Sequence, residues 1–415
     1  MKDDVDVSII GAGLSGLSAA LELHLKGKTV RIYESNPYVG GRVATDDFQW
    51  YKLDRGFQVL LTAYPECKRV LNYQLLDLKP FDSGVTSRFN GTFSTLYNPI
   101  KHPIKLIKSL FKGVVAPSDF YKLIKLGLNL SRADAQKLIQ DSSGSALSVI
   151  KKYELSPALT DQFLKPFLRG ILLDYSLTCP GKLVDFTMKM LIDGQAALPV
   201  RGMRSIPRQL ASRLPSDTVQ LNTLVQSIQQ NKIVLHNGTI IDAKKILVAC
   251  DPWSTARILG LQQPPSGREI ANLYFSTKKP PFKEPILVVN GEPNGIINNL
   301  AILSNVASRY VEDRSSLVSV TVLEEGIKNS RDNLDKGVRE ELRDWYGPEV
   351  DEWRHLHTYR IRNAHPQSYP LKLWSSGNFK VKEGIYACGD YLETPSINSA
   401  MLMGFKAAEQ ILQDK

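Results

Sequence analysis

The chain has 415 residues, 43% hydrophobic and 23% charged, which is ordinary for a globular protein and long enough for two or three domains. Its formal net charge of +10 favours an anionic contact such as a phosphorylated cofactor or acidic lipid, while no zinc-finger spacing or RNA-binding signature supports nucleic acid. Cys67, Cys179, Cys250 and Cys388 form no CxxC pair, so a disulfide framework or zinc site is not expected and a reducing, cytoplasmic setting is, and no apolar run nears the roughly 20 residues of a membrane-crossing helix.

Residues 5–10 read as a strand buried on both faces, as in a parallel sheet. Gly11, Ala12, Gly13, Leu14, Ser15 and Gly16 follow at once. Residues 17–26 then place Leu17, Ala20, Leu21 and Leu25 at helical spacing, and Gly27 stops the helix. Residues 29–33 read as a second strand, which Glu34 closes. In this context the three glycines mark a dinucleotide site. Gly11 allows the tight turn, Gly13 lets the backbone approach a pyrophosphate, and Gly16 lets helix and sheet pack closely. The helix N-terminus offers N–H groups and a positive dipole end to the phosphates. Glu34 is placed to accept from both ribose hydroxyls, and its charge disfavours a 2′-phosphate. Glu34, Ser35 and Asn36 lead into Gly40, Gly41 and Arg42, where two glycines free the backbone and an arginine can grip a pyrophosphate bidentately.

The run from Val7 to Arg42 resembles the FAD-binding opening of the flavin amine oxidase superfamily, which includes monoamine oxidases, protoporphyrinogen oxidases and phytoene desaturases. The resemblance implies FAD rather than NAD. Next come Leu53, Asp54, Arg55, Gly56, Phe57 and Gln58. Relatives carry a glycine pair here, and Arg55 replaces its first member; Gly56 and Phe57 are still expected along the flavin.

In residues 98–140, Lys101, Lys105, Lys108 and Lys112 recur three or four apart, with Ile104, Ile107, Phe111 and Val114 on another face. The pattern predicts a basic amphipathic helix, followed by a second helix over 120–130 carrying Lys122 and Lys125. Two readings stay open: a solvated lysine face over the substrate domain, or peripheral contact with an anionic membrane through 98–130. Residues 147–170 read as further helix and resemble the lid of the protoporphyrinogen oxidase and phytoene desaturase branch.

Residues 206–214 read as helix, 219–228 and 232–235 as strands, and 246–249 as a buried strand. By the resemblance, the backbone of Val225 would meet the adenine. Strand-like runs at 285–290 and 317–323 suggest a sheet within 268–362, and 329–346 reads as helix. Residues 384–388 form a short strand before Gly389 and Asp390, and a helix opens over 394–400 and runs to about 412. This closing segment resembles the last FAD motif of the superfamily. The resemblance puts Gly389 and Asp390 at the ribityl–phosphate region and Asn398, Ser399 and Ala400 at the flavin ring; relatives often have glycine where Ser399 stands. A free helix N-terminus there would stabilise charge on the reduced flavin.

Two halves of one site nearly 350 residues apart imply discontinuous domains: 1–62, 196–262 and 376–415 for FAD, 63–195 and 263–375 for substrate, with 98–195 mainly helical. The expected fold is α/β, a Rossmann-like FAD-binding domain with a discontinuous α+β substrate domain of mixed sheet and helical lid. Among six histidines, His355 and His357 alternate on a strand without completing a metal set, so no metal is expected. No GxSxG appears. His365, in a stretch that approaches the ring in relatives, is a weak candidate for a cavity-lining base. The expected activity is FAD-dependent removal of hydride from a small apolar or amine substrate. An NAD-dependent dehydrogenase would leave the closing motif unexplained; a non-catalytic FAD-binding protein would carry the same motifs.

Overall fold

The computed structural model describes residues 5–98, 100–105, 107, 115–140, 144–330, 333–373 and 378–414. The first strand, β1 (Val7–Ile10), is buried throughout, and its apolar side chains account for its central place. Helix α1 (Leu14–Leu25) starts three residues earlier than the apolar spacing suggests, because Gly13 already serves as its N-cap and Gly16 is accommodated inside it. Strand β2 (Val30–Tyr33) pairs with β1 in parallel. On the other side of β1 come Lys245–Val248 and then Ile385–Ala387, both parallel, with Lys380–Lys382 at that edge. The sheet has six strands.

Residues 219–228 do not form one strand. Val219–Gln220 joins the far edge of this sheet beside β2, whereas Val225–Gln229 belongs to a separate three-stranded antiparallel sheet. Between them Asn222 takes a left-handed conformation, φ 55°, and the N–H groups of Asn222 and Thr223 donate to the carbonyls of Asn36 and Glu34. The chain is thereby turned across the end of β2.

The last helix, Ile397–Gln413, lies directly on α1. Ser18 Oγ donates to the Met401 carbonyl at 2.9 Å, and a Cβ added at Gly404 would stand 2.1 Å from the Ser15 carbonyl oxygen. That close approach brings the C-terminal segment back to the glycine loop.

A second, seven-stranded mixed sheet contains Gly84–Phe89, Thr92–Tyr97, Arg268–Thr277, Leu287–Asn290, Ile297–Ile302, Ser316–Leu323 and Arg354–His365. Leu287–Asn290 runs parallel to Gly84–Phe89 and antiparallel to Ile297–Ile302. One face packs on the helix Leu334–Tyr346 through Val318, Val320, Val322, Val338 and Leu342. That helix starts at Leu334, where the Asn333 side chain caps it, and Glu324–Asn329 is a separate short helix.

The other face of the sheet meets a helical layer. The stretch expected as one helix over 147–170 is four pieces: Ala146–Lys152, Pro157–Leu159, a π turn at Thr160–Leu164, and Lys165–Leu172. Glu154 at φ 53° ends the first piece. The second expected helix is present as Pro117–Arg132. Of the basic helix before it, Lys108, Phe111, Lys112 and Val114 lie outside the described residues. Lys101 and Lys105 both bond to the protein, and Lys105 stays exposed as well. Lys101 Nζ donates to the Leu191 and Gly194 carbonyls, and Lys105 Nζ lies 3.1 Å from Asp82 Oδ2. No described helix is long and apolar enough to cross a membrane.

Candidate active site

A cavity of about 840 Å³ runs from the glycine loop, between the two sheets, to the helical layer. At its first end Gly11 sits at φ +102°, a conformation glycine tolerates, and its N–H donates to the Tyr33 carbonyl. A Cβ added at Gly13 would meet nothing within 4 Å, whereas one at Gly16 would lie 2.0 Å from the Gly11 carbonyl oxygen. The glycines therefore differ in purpose: Gly13 leaves space at the cavity wall, and Gly16 permits packing. No side chain caps the N-terminus of α1, where Leu14 and Ser15 line the cavity. Uncapped first-turn N–H groups facing open space fit a pyrophosphate.

Glu34 is buried at 4% exposure. Its Oε2 accepts from the Ala12 N–H at 2.7 Å, and its Oε1 accepts from the Asn36 N–H at 2.8 Å and from Asn36 Nδ2 at 2.7 Å. Ser35 Oγ also donates to Oε1, so the carboxylate is fixed by the surrounding loop, and Oε2 keeps a lone pair for a ribose hydroxyl. Gly40 donates to the Ala12 carbonyl at 2.8 Å, which docks the Gly40-Gly41-Arg42 turn beside the loop.

Arg42 Nη2 donates to Asp390 Oδ1 at 2.5 Å, and its Nη1 reaches the Ala364 carbonyl at 3.3 Å. Arg42 is thus already paired within the protein, though 43% of its side chain remains exposed and it lines the cavity. Arg55, in place of a glycine, turns to Asp46, with Nε–Oδ2 2.9 Å and Nη2–Oδ1 3.0 Å, and to the Tyr38 hydroxyl. Arg55 lines the cavity beside Gly56 and Phe57.

Residues 14–412 match the model of the flavin containing amine oxidoreductase family. The chain belongs to that family. Its cofactor is FAD. It is similar to 4,4′-diapolycopen-4-al dehydrogenase of Metabacillus indicus, 33% identical over 26% of this chain and 23% of the relative. Protoporphyrinogen oxidase 2 of Arabidopsis thaliana is 24% identical over 40% of this chain and 32% of its own length. The chain thus matches a third or less of the length of these curated relatives. Among solved structures, an oxidoreductase from Methanosarcina mazei superposes with a TM-score of 0.74, 15% identity and coverage of 98% and 100% of the two chains. A putrescine oxidase gives 0.67, 16%, and 99% of each. At these identities the structural likeness speaks for the fold, a mixed α/β architecture.

Within this flavin family member, the cavity brings together most residues singled out from sequence. Gly11, Gly13, Leu14, Ser15, Glu34, Ser35, Gly40, Gly41, Arg42, Gly56, Phe57, Val225, His365, Gly389, Asp390 and Ala400 all line it. Ala12, Gly16, Asn398 and Ser399 stand behind the wall. Ala12 is fully buried with its N–H on Glu34. Asn398 Oδ1 accepts from the Glu66 N–H at 3.0 Å, which ties the last helix to Pro65–Val70. Ser399 Oγ donates to Glu393 Oε2 at 2.7 Å. The Ser399 N–H is taken by Ser396 Oγ, so one of the first-turn N–H groups that the sequence suggests are free is capped. Sequence reading passed over Thr223, Asp251 and Arg257, which line the nucleotide end; only the turn at Asn222 brings the first near Glu34.

His365 ends the strand Arg354–His365. Its Nδ1 is buried without a hydrogen-bond partner. Burial, then the nearby Arg42 charge, pulls the imidazole down to about 4, so it is neutral at pH 7. A neutral ring whose Nδ1 is sealed from the cavity is better placed as a wall than as a base.

The far half of the cavity is mostly apolar, with Ser83, Asn98, Thr187 and Gln195 among its polar lining. Val85, Leu287, Val289, Ile270 and Ile361 come from the sheet, and Leu123, Leu126, Phe163, Phe167, Leu183 and Phe186 from the helices. Tyr64 stacks on Phe186 with ring centroids 6.1 Å apart. Asp82, the carboxylate that lines this half, is engaged by His102 Nε2 and Lys105 Nζ, each at 3.1 Å.

Proposed function

We propose that this chain is an FAD-dependent oxidoreductase of the amine oxidase and phytoene desaturase type, removing hydride from an apolar substrate held in the far half of the cavity. The observation that carries the reading is continuity: one cavity joins the glycine loop to a chamber walled by leucine, valine and phenylalanine. Bound FAD would supply the hydride acceptor. On this reading the dinucleotide lies along Gly11, Gly13, Leu14 and Ser15, with Glu34 on the ribose and Val225 beside the adenine. Arg42, Gly56, Phe57, Gly389, Asp390 and Ala400 line its flavin half. Residues 1–62, 196–262 and 376–415 then serve the cofactor, and 63–195 and 263–375 the substrate. The protein itself would orient a C–H bond and exclude water.

An uncharged substrate is favoured over an ammonium ion. A buried cation needs an ionic partner, and Asp82 is committed to Lys105 and His102. An apolar substrate also suits delivery from a membrane surface, which the exposed Ile104, Tyr121 and Leu128 beside lysines support. The test is spectral. Purified protein should carry FAD near equimolar ratio, and its flavin should bleach anaerobically with an isoprenoid or polyene faster than with an alkylamine. A colourless protein that refuses added FAD would defeat the reading; bleaching by amines alone would move it to amine oxidation. Unchanged turnover on removal of His365 would exclude that residue as a base.

A further inference from the structure

The sheet face that floors the substrate half carries a buried polar row. In register across three neighbouring strands stand Asn272, Thr321 and Asn299. Their hydrogen bonds form a continuous chain, and Ser319 Oγ also lies 3.3 Å from Asn272 Oδ1. Asn299 Nδ2 donates to Thr321 Oγ1 at 3.2 Å, Thr321 Oγ1 donates to Asn272 Oδ1 at 3.0 Å, and Asn272 Nδ2 donates to Ser319 Oγ at 3.1 Å. From the other side Asn298 Nδ2 donates to Asn299 Oδ1 at 2.9 Å. Five polar side chains in a Val- and Leu-rich sheet cost desolvation, which is recovered only if each finds partners.

Asn299 is the member of this row that reaches the cavity wall, and it is 3% exposed. The strand has a register irregularity between Ile297 and Asn299, and the Asn299 amide lies against the helix Lys165–Leu172. There Gly170 leaves the room: a Cβ at that position would lie 2.9 Å from Asn299 Oδ1 and 2.6 Å from Asn298 Nδ2. A primary amide has two N–H donors and an oxygen with two lone pairs. The row uses one N–H and one lone pair, and leaves one donor and one acceptor on an amide whose orientation its neighbours fix.

We propose that Asn299 is a substrate-specificity residue, and that the substrate is an apolar molecule carrying one oxygen function, a hydroxyl or carbonyl, that bonds to this amide. The proposal rests on the reading of the far half of the cavity as a substrate chamber. A pure hydrocarbon would leave the free N–H of Asn299 dry and unpaired, whereas an alcohol would satisfy both of its free positions. The row then acts as a rigid support that holds the amide before substrate arrives.

The test uses the FAD-loaded protein and two probes, octane and 1-octanol, each titrated while the flavin difference spectrum is followed. The quantity read is the ratio of the two dissociation constants in wild type against the same ratio in Asn299→Leu, which cancels the different hydration of the probes. We expect the preference for 1-octanol to fall about tenfold in Asn299→Leu, with octane binding kept. Should that variant lose its flavin, Thr321→Val removes the acceptor that orients the amide and leaves the cavity wall untouched; the preference should fall in the same direction by about threefold. Octane binding with an unchanged ratio in the variants would overturn the role of Asn299 and leave the apolar chamber standing. No spectral response to either probe in wild type would overturn both.

Discussion

Arg42 Nη2 and Asp390 Oδ1 lie 2.5 Å apart although 348 residues separate them. Each belongs to a different cofactor motif, so the ion pair joins the two halves of the site. It also fixes the guanidinium beside the Ala364 carbonyl before any cofactor arrives. Replacing Arg42 by alanine removes a charge-assisted bond and leaves the Asp390 carboxylate buried and unpaired. We expect FAD affinity to drop on the order of tenfold, about 1.4 kcal/mol, since the arginine is partly exposed. The FAD-to-protein ratio after dialysis reads this directly, and full retention would contradict the coupling.

Gly13 and Gly16 differ in their surroundings: a Cβ at Gly13 would meet open cavity, one at Gly16 would meet protein. A methyl at Gly16 would collide with the Gly11 carbonyl at 2.0 Å and approach Ala249 Cβ at 3.3 Å. Gly16→Ala should destabilise the cofactor-free protein by roughly 3 kcal/mol or more. Gly13→Ala meets no protein atom within 4 Å and lies at φ −71°, so it should melt like the wild type without FAD. Its methyl would occupy the cavity wall, and FAD should bind at least about tenfold more weakly. Thermal melts with and without FAD resolve both, and equal behaviour of the two variants would refute the division.

This contrast shows what a sequence can and cannot display. The run from β1 to Arg42 is local: strand, glycines, helix and acid follow one another within a short span, so its spacing singles it out. Gly389 and Asp390 came instead from the resemblance of the closing segment to the last FAD motif of the superfamily, and the fold brings them to the same cavity. Asn398 and Ser399 sit in an equally recognisable helix start, yet their side chains turn to Glu66 and Glu393. Nothing local announces a partner 332 residues away. Asn299 was invisible for a related reason. Its place on the cavity wall goes with a register irregularity in its strand and with the absence of a side chain at Gly170, two features of separate segments that only packing brings together.

Asp54 makes stability depend on pH. It is 1% exposed and accepts from Tyr310 Oη at 2.8 Å, from the Met203 N–H at 3.1 Å and from Thr45 Oγ1. Burial outweighs these bonds and raises its carboxyl to about 6. The folded protein therefore holds this proton where the unfolded chain has lost it. The resulting stabilisation is complete below pH 4 and disappears as pH rises through 6, a loss on the order of 3 kcal/mol from this group. In Asp54→Asn the fall between pH 4 and 6.5 should flatten. Denaturant unfolding at several pH values tests it; parallel curves for wild type and variant would show that Asp54 is ionised throughout.

Membrane contact can be tested without a substrate. Along the helix Pro117–Arg132, Tyr121, Lys125, Leu128 and Arg132 recur at four, three and four residues and share one face. Tyr121 is 67% exposed and Leu128 41%, while Leu123, Leu126 and Gly127 on the inner side line the cavity. The helix is thus one layer thick between solvent and the apolar chamber. Ile104, 70% exposed, belongs to the segment that Lys101 ties to the Leu191 carbonyl, and Lys189 of the same helix, Lys182–Asp193, holds the Leu130 carbonyl. Both outward patches are therefore anchored on one helix. Apolar side chains with basic neighbours suit an anionic bilayer, where each lysine or arginine near the surface contributes about 1 kcal/mol. The FAD-loaded protein should sediment with phosphatidylglycerol vesicles and much less with phosphatidylcholine vesicles, and salt should weaken the binding. Leu128→Glu combined with Tyr121→Glu should abolish it with flavin content unchanged. Leu25→Glu, at a 63% exposed leucine on the far end of α1, should leave it intact. If all three proteins sediment alike, attraction comes from net charge alone, and the helix is a lid without a docking role.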